Sequence, residues 1–184
     1  RNALDMWTDV TGITFSEVST GGQITFDDDQ EGAFATSTRS GGFIVSSQVN
    51  VSVDWITTYG SGLTTYSLQT YVHEIGHALG LGHAGNYNGT VDIPADLLYL
   101  NDSWPVTVMS YVDQAESPYF STLDYSRVYI TTPMGADIVA IQSMYGLSTN
   151  IRTGNTTYGF NNTSGRAAFE AVTGVGPQAY AIVD

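Results

Sequence analysis

The sequence of 184 residues contains no cysteine, no lysine and only three histidines. Without cysteine the chain forms no disulfide and has no thiolate for a closed structural zinc site. Eighteen acidic residues stand against five arginines, which gives a net charge of −13. Nucleic acids and anionic membranes bind basic patches, so we expect neither as a partner. No apolar run approaches the length that crosses a bilayer, and no signal peptide is recognisable.

All three histidines lie within one stretch of eleven residues, at His73, His77 and His83. On an α-helix, residues four apart lie one turn above each other, so His73 and His77 can direct ring nitrogens at one ion. Glu74 then lies beside that ion rather than on it. Gly80 is suited to end the helix, because glycine adopts positive φ readily, and such a turn brings His83 back to the ion. The spacing therefore predicts a metal site with three histidine ligands.

Three protein nitrogens leave one coordination position open, and zinc sites of that kind are catalytic. A lone helical histidine is more often a packing or surface residue, and an isolated HExxH pattern also occurs by chance. That alternative leaves unexplained why no histidine occurs elsewhere in the chain. A purely structural zinc site is disfavoured too, because it needs a fourth strong ligand and no spare histidine or cysteine is present.

A second motif, Val108, Met109, Ser110 and Tyr111, follows downstream of the histidines. Together with the order HExxHxxGxxH in residues 73–83, it resembles the signature of the metzincin metalloproteases and their Met-turn. The resemblance implies that Met109 forms a hydrophobic floor beneath the histidines, although methionine is also a common core filler. It further implies that Tyr111 is an additional, displaceable zinc ligand, as in astacins and serralysins and unlike in matrixins.

Further segments are similar to the serralysins, a family of secreted bacterial zinc proteases, and they cover most of the chain. These segments are residues 71–81, 85–88, 137–146 and 152–160. The resemblance implies a catalytic domain in residues 1–148 that lacks its first strands, and the beginning of a truncated calcium-binding β-roll domain in residues 149–184. Ala84 stands where serralysins usually have proline, and the glycine- and aspartate-rich β-roll nonapeptides are absent. We therefore expect a fragment or a processed form.

The resemblance also implies structural calcium beside catalytic zinc. Four residues match positions that contribute to a calcium site at the domain junction of serralysins: Arg152, Gly154, Thr156 and Asp184. Backbone carbonyls and a carboxylate are suitable calcium ligands. The acidic turn at residues 27–32 is a weaker cation candidate, since charged turns are usually only solvated. The family is secreted to the extracellular space, which accords with the lack of cysteine, although a cytosolic protein could equally lack it.

The implied fold is α+β, with a mixed sheet packed on the zinc-binding helix, a C-terminal helix and the start of a β-roll. The hydrophobic patterns predict strands in residues 22–26 and 42–53, and helices in residues 1–10 and 135–145. In the last helix we expect Ile138, Ile141 and Met144 to face inward.

The zinc-binding helix is predicted to begin after an N-cap at Ser67. Four apolar residues recur at helical spacing within it, and we expect them to anchor the helix to the sheet. They are Leu68, Val72, Ile75 and Leu79. Residues 84–107 are rich in Asn, Asp, Gly and Pro and are predicted to form irregular loops.

Taken together, these features predict a zinc-dependent endopeptidase that hydrolyses extracellular proteins. Glu74 is the expected general base, and Tyr111 is expected to donate a hydrogen bond to the oxyanion. The resemblance places an extended substrate along a cleft-rim strand at Ala33, Phe34 and Ala35. We expect a monomer whose partners are protein or peptide substrates and, by the same resemblance, a proteinaceous inhibitor.

The alternative is a zinc-binding module without catalytic activity. The presence of both Glu74 and Tyr111 argues against it, because zinc binding alone needs neither residue.

Overall fold

The computed structural model describes residues 1–149, 152–171 and 176–183. Within them the helices are α1 (Asn2–Val10), α2 (Val53–Tyr59), α3 (Tyr66–Ala78) and α4 (Gly135–Tyr145). The strands are β1 (Ile24–Asp27), β2 (Ala33–Ser40) and β3 (Phe43–Val51). Short 3₁₀ turns lie at Phe120–Leu123 and Ala167–Phe169. This α+β arrangement agrees with the predicted fold class.

The strands form one mixed sheet in the order β1, β3, β2. β1 runs parallel to β3, with Ile24 opposite Ser47, and β2 runs antiparallel to β3, with Ala33 opposite Val51. β2 is therefore an edge strand of the described sheet. The predicted strand at residues 42–53 ends early, because the Ser52 side chain accepts a hydrogen bond from the Trp55 backbone N–H at 3.2 Å and starts α2.

Helix α1 packs its apolar face against the centre of the molecule, as its sequence pattern predicts. Ala3, Trp7 and Val10 are buried along that face, whereas Met6 is buried against Ala168 and Phe169. The Trp7 indole N–H donates to the main-chain carbonyl of Val72 at 3.0 Å, which fixes α1 to α3. A buried indole N–H usually has a hydrogen-bond partner. This bond therefore lets the Trp7 ring be buried without leaving its N–H unpaired.

The apolar residues of α3 face a different neighbour from the one predicted. Leu68, Val72, Ile75 and Leu79 are buried in the same cluster as Trp7, Trp104 and Met109, to which the sheet contributes only the half-buried Ile24. The sheet instead packs Val49 and Val51 on Ala78. The expectation was wrong because helical spacing identifies a buried face but not the element that covers it. The predicted N-cap at Ser67 was also wrong, since α3 begins after Thr65.

Helix α4 has the predicted bounds and fixes the irregular segment before it. The buried Asp137 carboxylate accepts hydrogen bonds from the backbone N–H groups of Val108 at 2.7 Å and Met134 at 2.8 Å. It also accepts one from the Thr107 hydroxyl. Ile141 is buried as predicted, whereas Met144 is 48% exposed, so its predicted inward orientation was wrong.

The described residues after α4 are mostly irregular and lie against α1. Asp9, only 5% exposed, pairs with the guanidinium groups of Arg152 and Arg166. Arg166 binds it in a forked manner, with Nη2 at 2.7 Å from Oδ1 and Nε at 3.0 Å from Oδ2. The proposed domain limits at residues 148 and 149 stay a prediction. No helix among the described residues is long and apolar enough to cross a membrane.

Removing the Asp9 carboxylate should destabilise the whole chain. We expect Asp9→Ala to lower the free energy of unfolding by about 2 kcal/mol, because it breaks charged hydrogen bonds to two arginines. Denaturant unfolding followed by circular dichroism measures this. The control is Glu17→Ala, which removes an ion pair with Arg1 whose side chains are 78% and 82% exposed, and should change stability by less than about 1 kcal/mol. Equal effects of the two substitutions would contradict the role of Asp9.

Candidate metal centre

The three histidines converge because α3 ends between the second and the third. His73 and His77 lie one turn apart on α3, with ring centroids 4.6 Å apart. Gly80, with φ of +109°, then turns the chain out of the helix. This agrees with the prediction that Gly80 ends the helix. His83 returns, so that its Nε2 lies 3.0 Å from Nε2 of His77 and 3.3 Å from Nε2 of His73.

Each histidine is held by a main-chain carbonyl on the side away from this meeting point. The Nδ1 atoms of His73, His77 and His83 lie 2.8 Å from the carbonyl oxygens of Val108, Leu81 and Tyr87, respectively. A carbonyl only accepts, so each Nδ1 carries the proton and donates it. Fixing the tautomer in this way is typical of metal-ligating histidines.

The electrostatics of the three rings suit a cation among them. Burial lowers the pKa of His73 to about 3 and also lowers the pKa values of His77 and His83. The rings are therefore neutral, and with Nδ1 protonated each Nε2 presents a lone pair. Three lone pairs facing one another cannot hydrogen-bond among themselves, whereas three imidazole nitrogens suit a transition-metal ion. The donor set thus fits such an ion.

Glu74 lies next to His73 in the sequence and is only 6% exposed. Its Oε2 atom is buried without a hydrogen-bond partner, and burial raises the pKa of this carboxyl to about 8. An unpartnered buried carboxylate oxygen is costly for stability. Its retention beside the three histidines is more typical of a chemical role than of a structural one.

Tyr111 lies against the histidines but does not direct its hydroxyl into a hydrogen bond with them. Its ring centroid is 4.5 Å from that of His83 and 5.8 Å from that of His73. The hydroxyl oxygen accepts a hydrogen bond from the backbone N–H of Gly89 at 3.3 Å. Burial raises the pKa of Tyr111, and the nearby Glu74 raises it further.

Met109 lies directly beneath α3. It is 2% exposed, and a Cβ atom added at Gly76 would lie 2.6 Å from its sulfur. Gly76 lies between His73 and His77 on the helix, so the methionine packs where the helix has no side chain. The preceding residue, Val108, supplies the carbonyl for His73. One turn of chain therefore contacts both the helix and its first histidine.

Sequence reasoning missed the residues that orient the histidines. Val108, Leu81 and Tyr87 act through main-chain oxygens, which every residue type has. No side-chain pattern could have identified Val108 and Leu81. The buried Asp102, whose two carboxylate oxygens lie 3.0 Å from the Tyr87 hydroxyl, was also missed within the loops at residues 84–107.

The candidate substrate strand packs against α3, whereas the candidate calcium residues lie elsewhere in the structure. Ala33, Phe34 and Ala35 belong to the edge strand β2 and are half-buried. The Arg152 guanidinium contacts Asp9, and the Gly154 carbonyl accepts a hydrogen bond from the Thr156 N–H at 2.9 Å. Asp184 lies outside the described residues. Within the described part of the chain, the one group of three or more metal-ligating side chains is the histidine triad.

Comparison with known proteins decides the family. A family model described as matrixin matches residues 1–91. The metallopeptidase AprA of Pseudomonas marginalis is 33% identical over 192 residues, which cover 99% of this chain and 40% of that protein. A serralysin of Proteus mirabilis is 35% identical over 187 residues, covering 90% of this chain and 37% of that protein. The chain is a serralysin-like metzincin.

The chain spans about two fifths of the length of these curated relatives. The metzincin family and the histidine triad together identify zinc as the metal. The α+β fold with its mixed sheet agrees with the same family.

The packing of Met109 on α3 predicts that Gly76 tolerates no side chain. A methyl group there would lie 2.6 Å from the Met109 sulfur and 3.1 Å from Cζ2 of Trp7. Alanine in a helix interior is normally more stable than glycine by about 0.5–1 kcal/mol. We nevertheless expect Gly76→Ala to destabilise the chain by about 1–3 kcal/mol, because the overpacked site must shift.

The measurement is denaturant unfolding of the zinc-free protein. The matched control is Gly82→Ala, where an added methyl group meets nothing within 4 Å. A Gly76→Ala protein as stable as its parent would show that Met109 does not pack on the helix in this way.

Proposed function

We propose that this chain hydrolyses peptide bonds as a zinc-dependent endopeptidase, with Glu74 as general base. The proposal rests on two features of the structure that lie next to each other. Three neutral histidines present their Nε2 lone pairs to one point, and an adjacent buried carboxylate oxygen has no partner. A structural metal site has no use for that carboxylate, whereas hydrolysis needs a base there.

His73, His77 and His83 would hold the zinc ion. Bound zinc would supply Lewis-acid chemistry, polarising the substrate carbonyl and lowering the pKa of water toward neutrality. Glu74 takes the proton of the attacking water and later delivers it to the leaving amine nitrogen. Burial alone raises the pKa of this carboxyl to about 8, and the positive charge of a bound zinc ion would lower it again, which leaves the carboxylate form available to accept the proton.

Tyr111 is proposed to donate a hydrogen bond to the carbonyl oxygen as that oxygen gains negative charge. Its ring lies beside two of the three histidines, and its raised pKa keeps the phenol protonated near neutral pH. The hydroxyl is already bound to the Gly89 N–H. Because the hydroxyl oxygen accepts this bond, its own proton is available to donate to the oxyanion.

Substrate is proposed to bind in extended form along β2. The strand pairs with β3 on one side, and Ala33, Phe34 and Ala35 lie on this edge strand of the described sheet. An unpaired strand edge provides main-chain donors and acceptors in the spacing of an extended peptide. Ala33 and Ala35 pack in the same apolar cluster as Ala78 of α3, so the strand lies against the helix that carries two of the histidines.

Further parts of the proposal concern the setting of the enzyme. We propose a secreted protein that acts on extracellular proteins as a monomer, with calcium bound near Gly154 and Thr156. The supports are the serralysin relatives and the lack of cysteine. A proteinaceous inhibitor that occupies the cleft belongs to the same proposal.

Cleavage of casein by the purified chain tests the function. We expect hydrolysis that stops when a chelator removes zinc and returns when zinc is added back. A chain that binds one zinc ion and cleaves nothing would instead be a non-catalytic zinc-binding module.

Removal of the base should separate zinc binding from catalysis. Glu74→Ala should retain one zinc per chain and lose about 10²- to 10⁴-fold in kcat, because the proton acceptor is gone. Zinc content by atomic absorption and initial rates on a peptide give both quantities. Glu17→Ala, an exposed acid remote in sequence from the histidines, is the control and should retain the parent rate. A fully active Glu74→Ala protein would exclude this residue as the base.

The hydroxyl of Tyr111 should matter to the rate and little to the metal. Tyr111→Phe removes one hydrogen-bond donor to the oxyanion, and such losses cost about 10²- to 10³-fold in kcat. We expect zinc content close to that of the parent. Zinc lost together with activity would mean that Tyr111 acts mainly as a ligand.

A further inference from the structure

The third histidine depends on supports that the other two do not need. His73 and His77 are carried by α3, whose main-chain hydrogen bonds fix their backbone. His83 lies in an irregular segment after Gly80, so the helix does not determine the direction of its ring. Since a catalytic zinc site needs all three nitrogens in place, some other contact must hold the His83 imidazole.

Each carbonyl that orients a histidine has its own anchor. Val108, the partner of His73, is held by the buried Asp137 through its N–H. Leu81, the partner of His77, is held at the end of α3 by its N–H bond to the Gly76 carbonyl at 2.9 Å. For His83 the partner is Tyr87, whose own side chain provides the anchor.

The Tyr87 side chain is fixed at both its hydroxyl and its ring. The hydroxyl donates to the Asp102 carboxylate, with both carboxylate oxygens at 3.0 Å, and Asp102 is 2% exposed. The ring stacks on His83 with centroids 5.4 Å apart and an angle of 27°. Tyr111 lies beside both rings, with its ring centroid 4.9 Å from that of Tyr87 and 4.5 Å from that of His83. Because the ring is held in this way, the Tyr87 carbonyl stays within 2.8 Å of His83 Nδ1.

The local chain is adapted to this arrangement. A side chain at Gly85 would place its Cβ atom 2.5 Å from Cε1 of Tyr87 and 2.6 Å from the Asp96 carbonyl oxygen. Glycine is therefore required where the segment folds the Tyr87 ring back toward His83. Two residues after Tyr87, the Gly89 N–H binds the Tyr111 hydroxyl. One short segment thus contacts both the third histidine and the tyrosine beside it.

We propose that Tyr87, anchored by Asp102, is a positioning residue that orients His83 toward the metal and supports Tyr111 beside it. This role rests on the zinc centre of the proposed function. Tyr87 touches neither substrate nor reacting atoms. Its effect reaches the metal through the His83 imidazole, so it should appear first in metal affinity and in the geometry around the metal.

The test is the zinc dissociation constant of the full chain, measured by competition with a chelator, together with the absorption spectrum after cobalt substitution. Tyr87→Phe keeps the ring and removes only the hydroxyl. We expect zinc affinity about tenfold weaker, because residues outside the ligand set typically contribute 10- to 100-fold to metal affinity. We also expect shifted cobalt bands, which report ligand geometry and which a purely structural role would leave unchanged.

The matched control is Tyr158→Phe. The Tyr158 hydroxyl is buried without a hydrogen-bond partner, so the same chemical change there should alter neither the zinc affinity nor the cobalt spectrum. A Tyr87→Phe protein with the parent's affinity and spectrum would overturn the proposal. Circular dichroism of the zinc-free proteins shows whether each variant is folded.

If Tyr87→Phe does not fold, two variants of Asp102 test the same hydrogen bond through its acceptor. Asp102→Ala removes the carboxylate acceptor and leaves the Tyr87 hydroxyl only Ser110 Oγ at 3.4 Å, whereas Asp102→Asn retains an oxygen that can accept the bond. The proposal expects weaker zinc binding in the first and recovery in the second, and parental affinity in both would overturn it. A parent that binds zinc but cleaves no peptide would refute the proposed function and leave this comparison intact. A parent that binds no zinc would refute both.

Discussion

The hydrogen bond from each histidine Nδ1 to a main-chain carbonyl is the interaction on which the metal centre depends. The three distances are all 2.8 Å, and each bond places the ring proton on the outer nitrogen. Only then can the inner nitrogens all be unprotonated and approach to 3.0 and 3.3 Å. Without these bonds the rings could rotate or exchange tautomers, and the repulsion among three lone pairs would separate them. The metal supplies the attraction and the carbonyls supply the direction.

Much of the surrounding fold positions those carbonyls. Asp137 connects α4 to the Val108 segment, and Met109 packs into the space left by Gly76 on α3. From the other side, Trp7 of α1 donates to the Val72 carbonyl of α3. The zinc-binding helix is therefore held on one face by apolar packing on α1 and the Met109 segment, and on another by the sheet, against which Tyr71 and Ala78 pack. Such precise support is what catalysis requires, because small displacements of ligands or base are costly.

Several polar groups of the metal centre are unfavourable for the stability of the chain. Glu74 retains a buried oxygen without a partner, and three neutral histidines are packed together, of which His73 is buried and the other two are half-buried. Both features reduce the stability of the metal-free chain, and bound zinc would offset that loss by acting only on the folded state.

The sequence alone determined which residues are the candidate metal ligands. It also determined much of the secondary structure. The spacing of His73 and His77 is a property of any helix, and the position of Gly80 is a property of glycine, so both could be read without a fold. The same holds for the helices at residues 1–10 and 135–145, whose bounds the structure reproduces within one residue.

Tertiary structure alone decided which elements meet. Leu68, Val72, Ile75 and Leu79 were recognisable as a buried face, yet only the fold shows that α1 and the Met-turn cover it. The predicted strand in residues 42–53 was too long at its C-terminal end. Ser52 caps the first turn of α2, so the strand does not continue to Val53. The carbonyls of Val108, Leu81 and Tyr87, and the Asp102 that holds Tyr87, carry no pattern in the sequence. Main-chain atoms are the same at every position, so their roles arise only when distant segments are brought within hydrogen-bonding distance.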